Sequence, residues 1–229
     1  LTSPCDSIDT KATVINAAVA NGMDVSLEFV VRNILPVAGN ENTLSILDAY
    51  CSKKLVDDDV FRILNFACAC KDSKTAVGAL DCLKRGNQYV LVPSKTVIAM
   101  LSERDLTASD KISILDKLFE FKVEAKSVEA VMTNYLCFNQ DPVATRKEVI
   151  LYLLDKSPQL PTSTVQNYVL KCAVDGNEKP AIVKAIFDKG LNTSFFNELL
   201  SKYMNSSTDS NEVKAEITDI LSGGGLKID

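Results

Sequence analysis

The chain has 229 residues, 46% of them apolar and 24% charged, with 25 Lys and Arg against 30 Asp and Glu for a formal net charge of −5. That length holds one large domain or two small ones, and the composition is that of a folded, water-soluble chain. It excludes a bilayer-spanning segment, because no apolar run approaches the roughly 18 residues required, and every imidazole-dependent chemistry, because there is no histidine.

Residues 1–11 are read as an N-terminal lead-in; LTSPCDSIDT has no basic segment followed by an apolar block, so it does not resemble a signal peptide. The start at Leu1 without Met fits an excised domain or a processed product. The first amphipathic phrase is VINAAV at Val14, with apolar residues at i, i+1 and i+4, the buried stripe of a helix. After the Asn21-Gly22 breaker comes LEFVV at Leu27, then ILDAYC at Ile46. The acidic run DDD at 57–59 precedes FRILN at Phe61; it could be imagined holding Mg²⁺, but it more simply caps a helix and answers its positive dipole end. NFACAC supplies Cys68 and Cys70, which two positions apart on a helix diverge by about 200° and cannot clasp one metal ion.

ALDCLK at Ala79 is followed by Gly86-Asn87 and by YVLVP at 89–93, the one strand candidate, read as an extended linker into a helix at Ser94. VIAML at Val97, ILDKLF at Ile114, VEAVM at Val128, ILYLLD at Ile150, VQNYV at Val165, IVKAIF at Ile182 and FNELL at Phe196 complete the helical phrases. Residues 205–229 read as a polar linker (NSSTDSN), a C-terminal capping helix from Val213 to Leu221, and a flexible glycine-rich tail.

The phrases fall into two interleaved series. Those at Val14, Ile46, Ala79, Ile114, Ile150 and Ile182 are 32, 33, 35, 36 and 32 residues apart. Those at Leu27, Phe61, Val97, Val128, Val165 and Phe196 are 34, 36, 31, 37 and 31 apart, so both series share a mean period of about 34. This predicts an all-α chain built as an α-solenoid of about six helix-turn-helix repeats over residues 12–204, with no internal domain boundary. An irregular all-α bundle is the bland alternative.

With its period near 34 and a tight turn before each first helix, the chain resembles pentatricopeptide (PPR) repeats and, next, tetratricopeptide (TPR) repeats, over roughly residues 12–221 and on spacing rather than signature residues. Resemblance to the pentatricopeptide family implies base-reading positions at Glu28, Arg62, Ile98, Glu129, Gln166 and Asn197, and a second set at Met23, Asp57, Pro93, Glu124, Pro161 and Asn192. Only Asn197 with Asn192 carries the amide chemistry that family uses at both places. Residues 71–126 hold 10 basic against 8 acidic side chains, with Lys84, Arg85, Lys117, Lys122 and Lys126 as a modest patch. Phosphate neutralisation normally supplies most of the affinity for RNA, so single-stranded RNA is the alternative partner rather than the first.

The expected function is therefore a non-enzymatic scaffold that binds a protein partner, or a second copy of itself, through the surface of its first-helix array. The expected contacts are Glu28, Arg62, Glu129, Gln166, Asn192 and Asn197, with Phe195 and Phe196 as a partner or dimer anchor. No catalytic residue, metal site, cofactor, small-molecule substrate or membrane contact is implied. Seven cysteines, an odd number without a CxxC pair, point to reduced thiols and an intracellular, most simply cytoplasmic, location; a mitochondrial or nuclear one stays open.

Overall fold

The computed structural model describes residues 7–89, 91–123, 125–138, 141–156, 162–171, 178–188 and 196–223, with a few side chains inside those spans left out. The protein is all-α. It divides into two compact units, residues 1–123 and 124–229. In the first lie α1 (Ile8–Ala20), α2 (Leu27–Asn33), α3 (Asn40–Cys51), α4 (Asp57–Ala69), α5 (Ser73–Arg85), α6 (Ser94–Leu101) and α7 (Ala108–Glu120), with two-residue strands β1 (Leu91–Val92) and β2 (Lys122–Val123). The second holds α8 (Ala125–Phe138), α9 (Val143–Lys156), α10 (Thr162–Lys171), α11 (Glu178–Asp188), α12 (Phe196–Ser206) and α13 (Asn211–Ser222).

Several helices begin at a residue whose side chain caps the first turn. The Ser7 hydroxyl accepts from Thr10 N–H, Asp72 from Thr75 N–H, and Ser210 from Val213 N–H, while Thr107 and Asp110 form a reciprocal capping box at α7. Such caps satisfy backbone donors that a helix's first turn leaves unpaired. The apolar stripe then decides what is buried: in α5 it is Ala76, Ala79, Leu80, Cys82 and Leu83, and in α7 Ile114, Leu115 and Leu118.

Stacking follows a simple rule inside each unit. In the N-terminal unit α1, α3, α5 and α7 pack one on the next as a row, α2, α4 and α6 form a second row, and α4 closes onto α5 through the three-residue turn 70–72. The C-terminal unit repeats this with α9, α11 and α13 in one row and α8, α10 and α12 in the other. Each helix shields its neighbour one hairpin on, an arrangement of the α-solenoid type within each unit.

Polar side chains carry the same period. Asn42 bonds to Asp9, Asn40 to Asp72, Thr75 to Asn40, Ser73 to Asp110, Thr96 to Asn65 and Thr133 to Thr164, each pair 31 to 37 residues apart in sequence. One register position is polar and buried in five successive odd-numbered helices: Thr43, Thr75, Lys111, Arg146 and Lys179. Lys111 Nζ donates to the Leu101 carbonyl (2.8 Å) and Arg146 Nη2 to the Leu136 carbonyl (2.6 Å). Both carbonyls lie at the C-terminal end of the preceding helix, where the backbone dipole is negative and acceptors lack partners. Lys179 instead meets Asp209 (2.7 Å), which also accepts from the Tyr203 hydroxyl (2.7 Å).

Burial works against the charge on Asp209, but Lys179, Tyr203 and Ser207 together hold its carboxyl below the ordinary value. A depressed carboxyl contributes stability that is present above its unfolded value and lost as pH falls through the folded one. The C-terminal unit is therefore expected to lose urea resistance below about pH 4, and Asp209→Asn to flatten that limb of the profile. Denaturation midpoints measured between acid and neutral pH on both proteins test this; parallel profiles would refute it.

Several expectations need correction. The lead-in ends at Ser7 rather than residue 11, because the Ser7 cap starts α1 earlier. The chain does divide, at 123/124, inside the four-residue connection 121–124, where no Pro, Gly or Ser cluster announces a boundary. Asp57, Asp58 and Asp59 make no side-chain cap: Val56 is the N-cap of α4, and the carboxylates occupy the first turn, favoured there by the helix dipole. YVLVP does more than link, since Leu91 and Val92 pair in parallel with Lys122 and Val123. The NSSTDSN stretch is tied down through Asp209 rather than loosened. The glycine-rich tail at 224–229 lies outside the described residues, while α13 packs on α11 and α12 as a capping helix should.

Candidate partner-binding surface

The chain leaves each odd-numbered helix of the N-terminal unit through a short connection, and these connections line up along one edge. After α1, Asn21 caps the helix with its own backbone and side chain, and Gly22 turns at φ 82°, a left-handed conformation that a side chain would resist. Ser26 then caps α2. Two bonds tie each of the first two connections to the neighbouring odd-numbered helix: Lys53 Nζ, in the second connection, donates to the Val19 carbonyl of α1 (2.7 Å), and the Tyr50 hydroxyl of α3 donates to the Val25 carbonyl in the first connection (2.8 Å). Burial, with Asp59 and Asp24 nearby, pushes the Tyr50 hydroxyl up to about 12, so it remains a donor at physiological pH.

The third connection is joined to the second by one side chain. Gln88, only 7% exposed, accepts from Leu55 N–H (3.3 Å) and donates to the Lys53 and Gly86 carbonyls (2.8 and 2.9 Å). Its amide does what an adjacent strand would do. Beyond it the β1–β2 pair joins the third connection to the fourth with backbone bonds proper. The edge is thus a stitched series of extended segments, each supporting the next.

Exposed apolar side chains stand out from it: Met23 is 64% exposed, Val56 65% and Tyr89 58%, in three successive connections and spaced 33 residues apart, and Leu91, in the same connection as Tyr89, is 46% exposed. Tyr89 is propped from below by Phe121, with ring centroids 6.2 Å apart. Between the first two connections opens a cavity of about 490 Å³ whose lining includes Met23, Asp24, Glu28, Lys54, Asp59 and Arg62.

Two of the residues expected to bind a partner meet here. Arg62 reaches Glu28 (3.3 Å) and Asp59 (3.9 Å), and Glu28 also takes Arg32 (3.0 Å). Both are half-buried, pair with one another and line the cavity. Such partly exposed pairs contribute only about 0–1 kcal/mol each. Gln166 is half-buried on α10; Glu129, Phe196 and Asn197 belong to α8 and α12 with undescribed side chains; Asn192 and Phe195 lie outside the described residues. Met23 was singled out only through the base-reading pattern, and Val56 and Tyr89 not at all. The signal available for them was the 33-residue spacing of large apolar residues inside connections.

The row of odd-numbered helices presents a different surface. Arg85 pairs with Asp48 (2.5 Å), Lys117 with Asp81 (2.9 Å) and Lys84 with Glu120 (2.5 Å), each across neighbouring helices. Three members of the expected basic patch are thereby matched by carboxylates, and the side chains of Lys122 and Lys126 are not described. The thiols of Cys51, Cys68 and Cys82 are free and pushed up to about 12 chiefly by burial, which keeps them protonated and unreactive. Among the described residues no group of three Cys, Asp or Glu is placed to hold a metal ion, and no helix is long and apolar enough to cross a membrane.

Compared with protein-family models, with characterised proteins and with solved structures, the chain finds no match in any of the three.

Proposed function

We propose that the chain is a non-enzymatic, helical-repeat scaffold of pentatricopeptide-like or tetratricopeptide-like type that binds a protein partner inside the cell. The observation that carries this reading is the apolar row of Met23, Val56 and Tyr89 on the edge of the N-terminal unit. Single exposed apolar residues are ordinary, but three in successive connections at a fixed 33-residue interval form a patterned surface of the kind that anchors a protein. The first-helix row, with its ion pairs already made, supplies flanking polar surface instead of anchors. Free, protonated thiols agree with a reducing compartment.

Single-stranded RNA has less in its favour. Lys84, Arg85 and Lys117 each have a carboxylate partner, so binding a phosphate there would first break an ion pair. Two measurements on the purified chain separate the readings. Immobilised poly(U) is expected not to retain it at low salt, whereas the immobilised chain is expected to hold a protein from native extract in stoichiometric amount. Retention on poly(U) that weakens with added salt, without any stoichiometric protein partner, would replace the protein reading by the RNA one.

A further inference from the structure

We infer that the N-terminal unit binds a primary alkylammonium group, a short aliphatic chain ending in a cation, in the cavity beside the α2–α3 and α4–α5 turns, where the stack lacks a cation that it supplies from within elsewhere. The site lies apart from the edge bearing Met23, Val56 and Tyr89, and it stands or falls independently of the scaffold reading.

Register points to it first. Thr43, Lys111, Arg146 and Lys179 each stand three residues ahead of a fully buried apolar residue, namely Ile46, Ile114, Val149 and Ile182, near the start of an odd-numbered helix. In the C-terminal unit the buried cation at this position reaches an acid at the start of the next helix in its row. Arg146 on α9 meets Glu178, the first residue of α11 (3.0 Å), and Lys179 on α11 meets Asp209, just ahead of α13 (2.7 Å). The α3–α5 step keeps the acid and lacks the cation. Asp72 immediately precedes α5, but α3 offers Thr43, whose hydroxyl only approaches the Ala38 and Leu35 carbonyls at 3.4 and 3.5 Å. Threonine stops at the γ position, well short of where lysine carries its charge.

Thr43 and Asp72 line one cavity of about 430 Å³, whose walls include Leu35, Pro36, Phe66 and Ala69. Those four offer apolar surface to an aliphatic stem, as apolar surface elsewhere takes the stem of a lysine while its head stays on a polar group.

One atom selects the head group. The hydrogen bonds to Asp72, from the Thr75 hydroxyl (2.6 Å), the Thr75 N–H (2.8 Å) and the Asn40 amide (2.9 Å), all fall on Oδ2. The Thr75 donors above all hold this carboxyl below its usual value, so it is ionised at neutral pH. Among the described residues Oδ1 has neither a hydrogen-bond donor nor a cation on it. Two lysines stand nearby. Lys71, which also lines the cavity, is paired with Asp105 (2.6 Å), and Lys74, exposed on the first turn of α5, has the smallest effect among the groups that lower the Asp72 carboxyl. The rim is thus close to neutral, and selection rests on an open carboxylate oxygen beside an apolar wall rather than on net potential. An ammonium gives that oxygen a charge-assisted hydrogen bond, roughly twice as strong as the one an alcohol of equal length can give.

The test titrates butylammonium chloride into the ¹⁵N-labelled full chain at constant ionic strength and follows the amide resonances. Saturable shifts centred on residues 35–43 and 69–75 are expected, with 1-butanol and butyrate each binding at least about tenfold more weakly. Asp72→Asn, which keeps a good N-cap for α5, is expected to remove the preference for the amine over the alcohol. Thr43→Lys supplies the cation from inside and is expected to abolish butylammonium binding with the circular dichroism unchanged; should that protein not fold, the Asp72→Asn comparison decides. Acetyl-Gly-Lys-Gly amide distinguishes the source of the ammonium: binding at least as tight as that of butylammonium assigns it to a protein lysine, and weaker binding to a free amine. Equal binding of 1-butanol, shifts centred elsewhere, an unaltered preference in Asp72→Asn, or no saturable binding of butylammonium would each overturn the inference.

Discussion

Replacing Arg146 by alanine is expected to lower the stability of the C-terminal unit by about 3–5 kcal/mol, the range for breaking a buried ion pair from one side. The Arg146 side chain is 3% exposed and joins three helices: it lies on α9, its Nη1 meets Glu178 on α11 (3.0 Å) and its Nη2 meets the Leu136 carbonyl on α8 (2.6 Å). Truncation strands a carboxylate that is itself only 20% exposed, leaves the Leu136 carbonyl without this donor, and opens space where the side chain lay. Arg146→Lys should recover part of the loss, since one ammonium cannot serve both acceptors with the fork geometry of a guanidinium. Because the chain divides into two compact units, the measurement is hydrogen exchange at α8, α9 and α11 beside urea unfolding. A loss below about 1 kcal/mol would mean that water already reaches the pair.

Gly86→Ala is the next largest expected effect, about 1–3 kcal/mol and confined to the N-terminal unit. Gly86 ends α5, and a Cβ there would stand 2.2 Å from the Cys51 carbonyl oxygen and 3.1 Å from the Cys51 Cβ. The obstacle is backbone, which cannot swing aside as a side chain can, so α3 and α5 must separate at this end. That movement also pulls on Gln88, which bonds to the Gly86 and Lys53 carbonyls, and so on the stitching of the edge. Gly39→Ala is the comparison: nothing lies within 4 Å of its added Cβ, so it should lose only the N-cap preference for glycine over alanine and fall short of the Gly86→Ala effect. Thermal unfolding of the two variants side by side checks the contrast; equal midpoints would show that the α3–α5 contact yields readily.

The helical periodicity was legible, although in α1 the buried stripe is Ala12, Ile15 and Val19, and Val14, the expected anchor of VINAAV, is 51% exposed. Apolar pairs such as Ile114-Leu115 with Leu118 bury the stripe that their spacing dictates, and the twelve phrases of the two series all lie within helices α1 to α12. Breakers at Asn21-Gly22 and Gly86-Asn87 turn the chain where expected, with Gly22 and Asn87 both at positive φ. Local chemistry suffices for these features because caps, stripes and turns depend on residues within one helical turn of each other.

The candidate site was legible only in part. Glu28 and Arg62 were singled out as expected partner contacts, but their sequence neighbours do not reveal that they face one another 34 residues apart. Lys111, Arg146 and Lys179 carry no local sequence sign of burial, yet they are buried against helix ends and carboxylates. Met23, Val56 and Tyr89 sit in connections where apolar residues carry no helical pattern, so nothing local distinguishes an exposed one from a buried one such as Val92.

By itself, then, the amino-acid order determined that this protein is helical, where its helices start and turn, and which stripe of each is hidden, since all of that follows from interactions a few residues long. Stacking decided the rest. Which charge meets which, which buried cation closes a neighbouring helix end, and which apolar side chains are left facing water depend on the register between helices one hairpin apart, and that register exists only once the rows have packed.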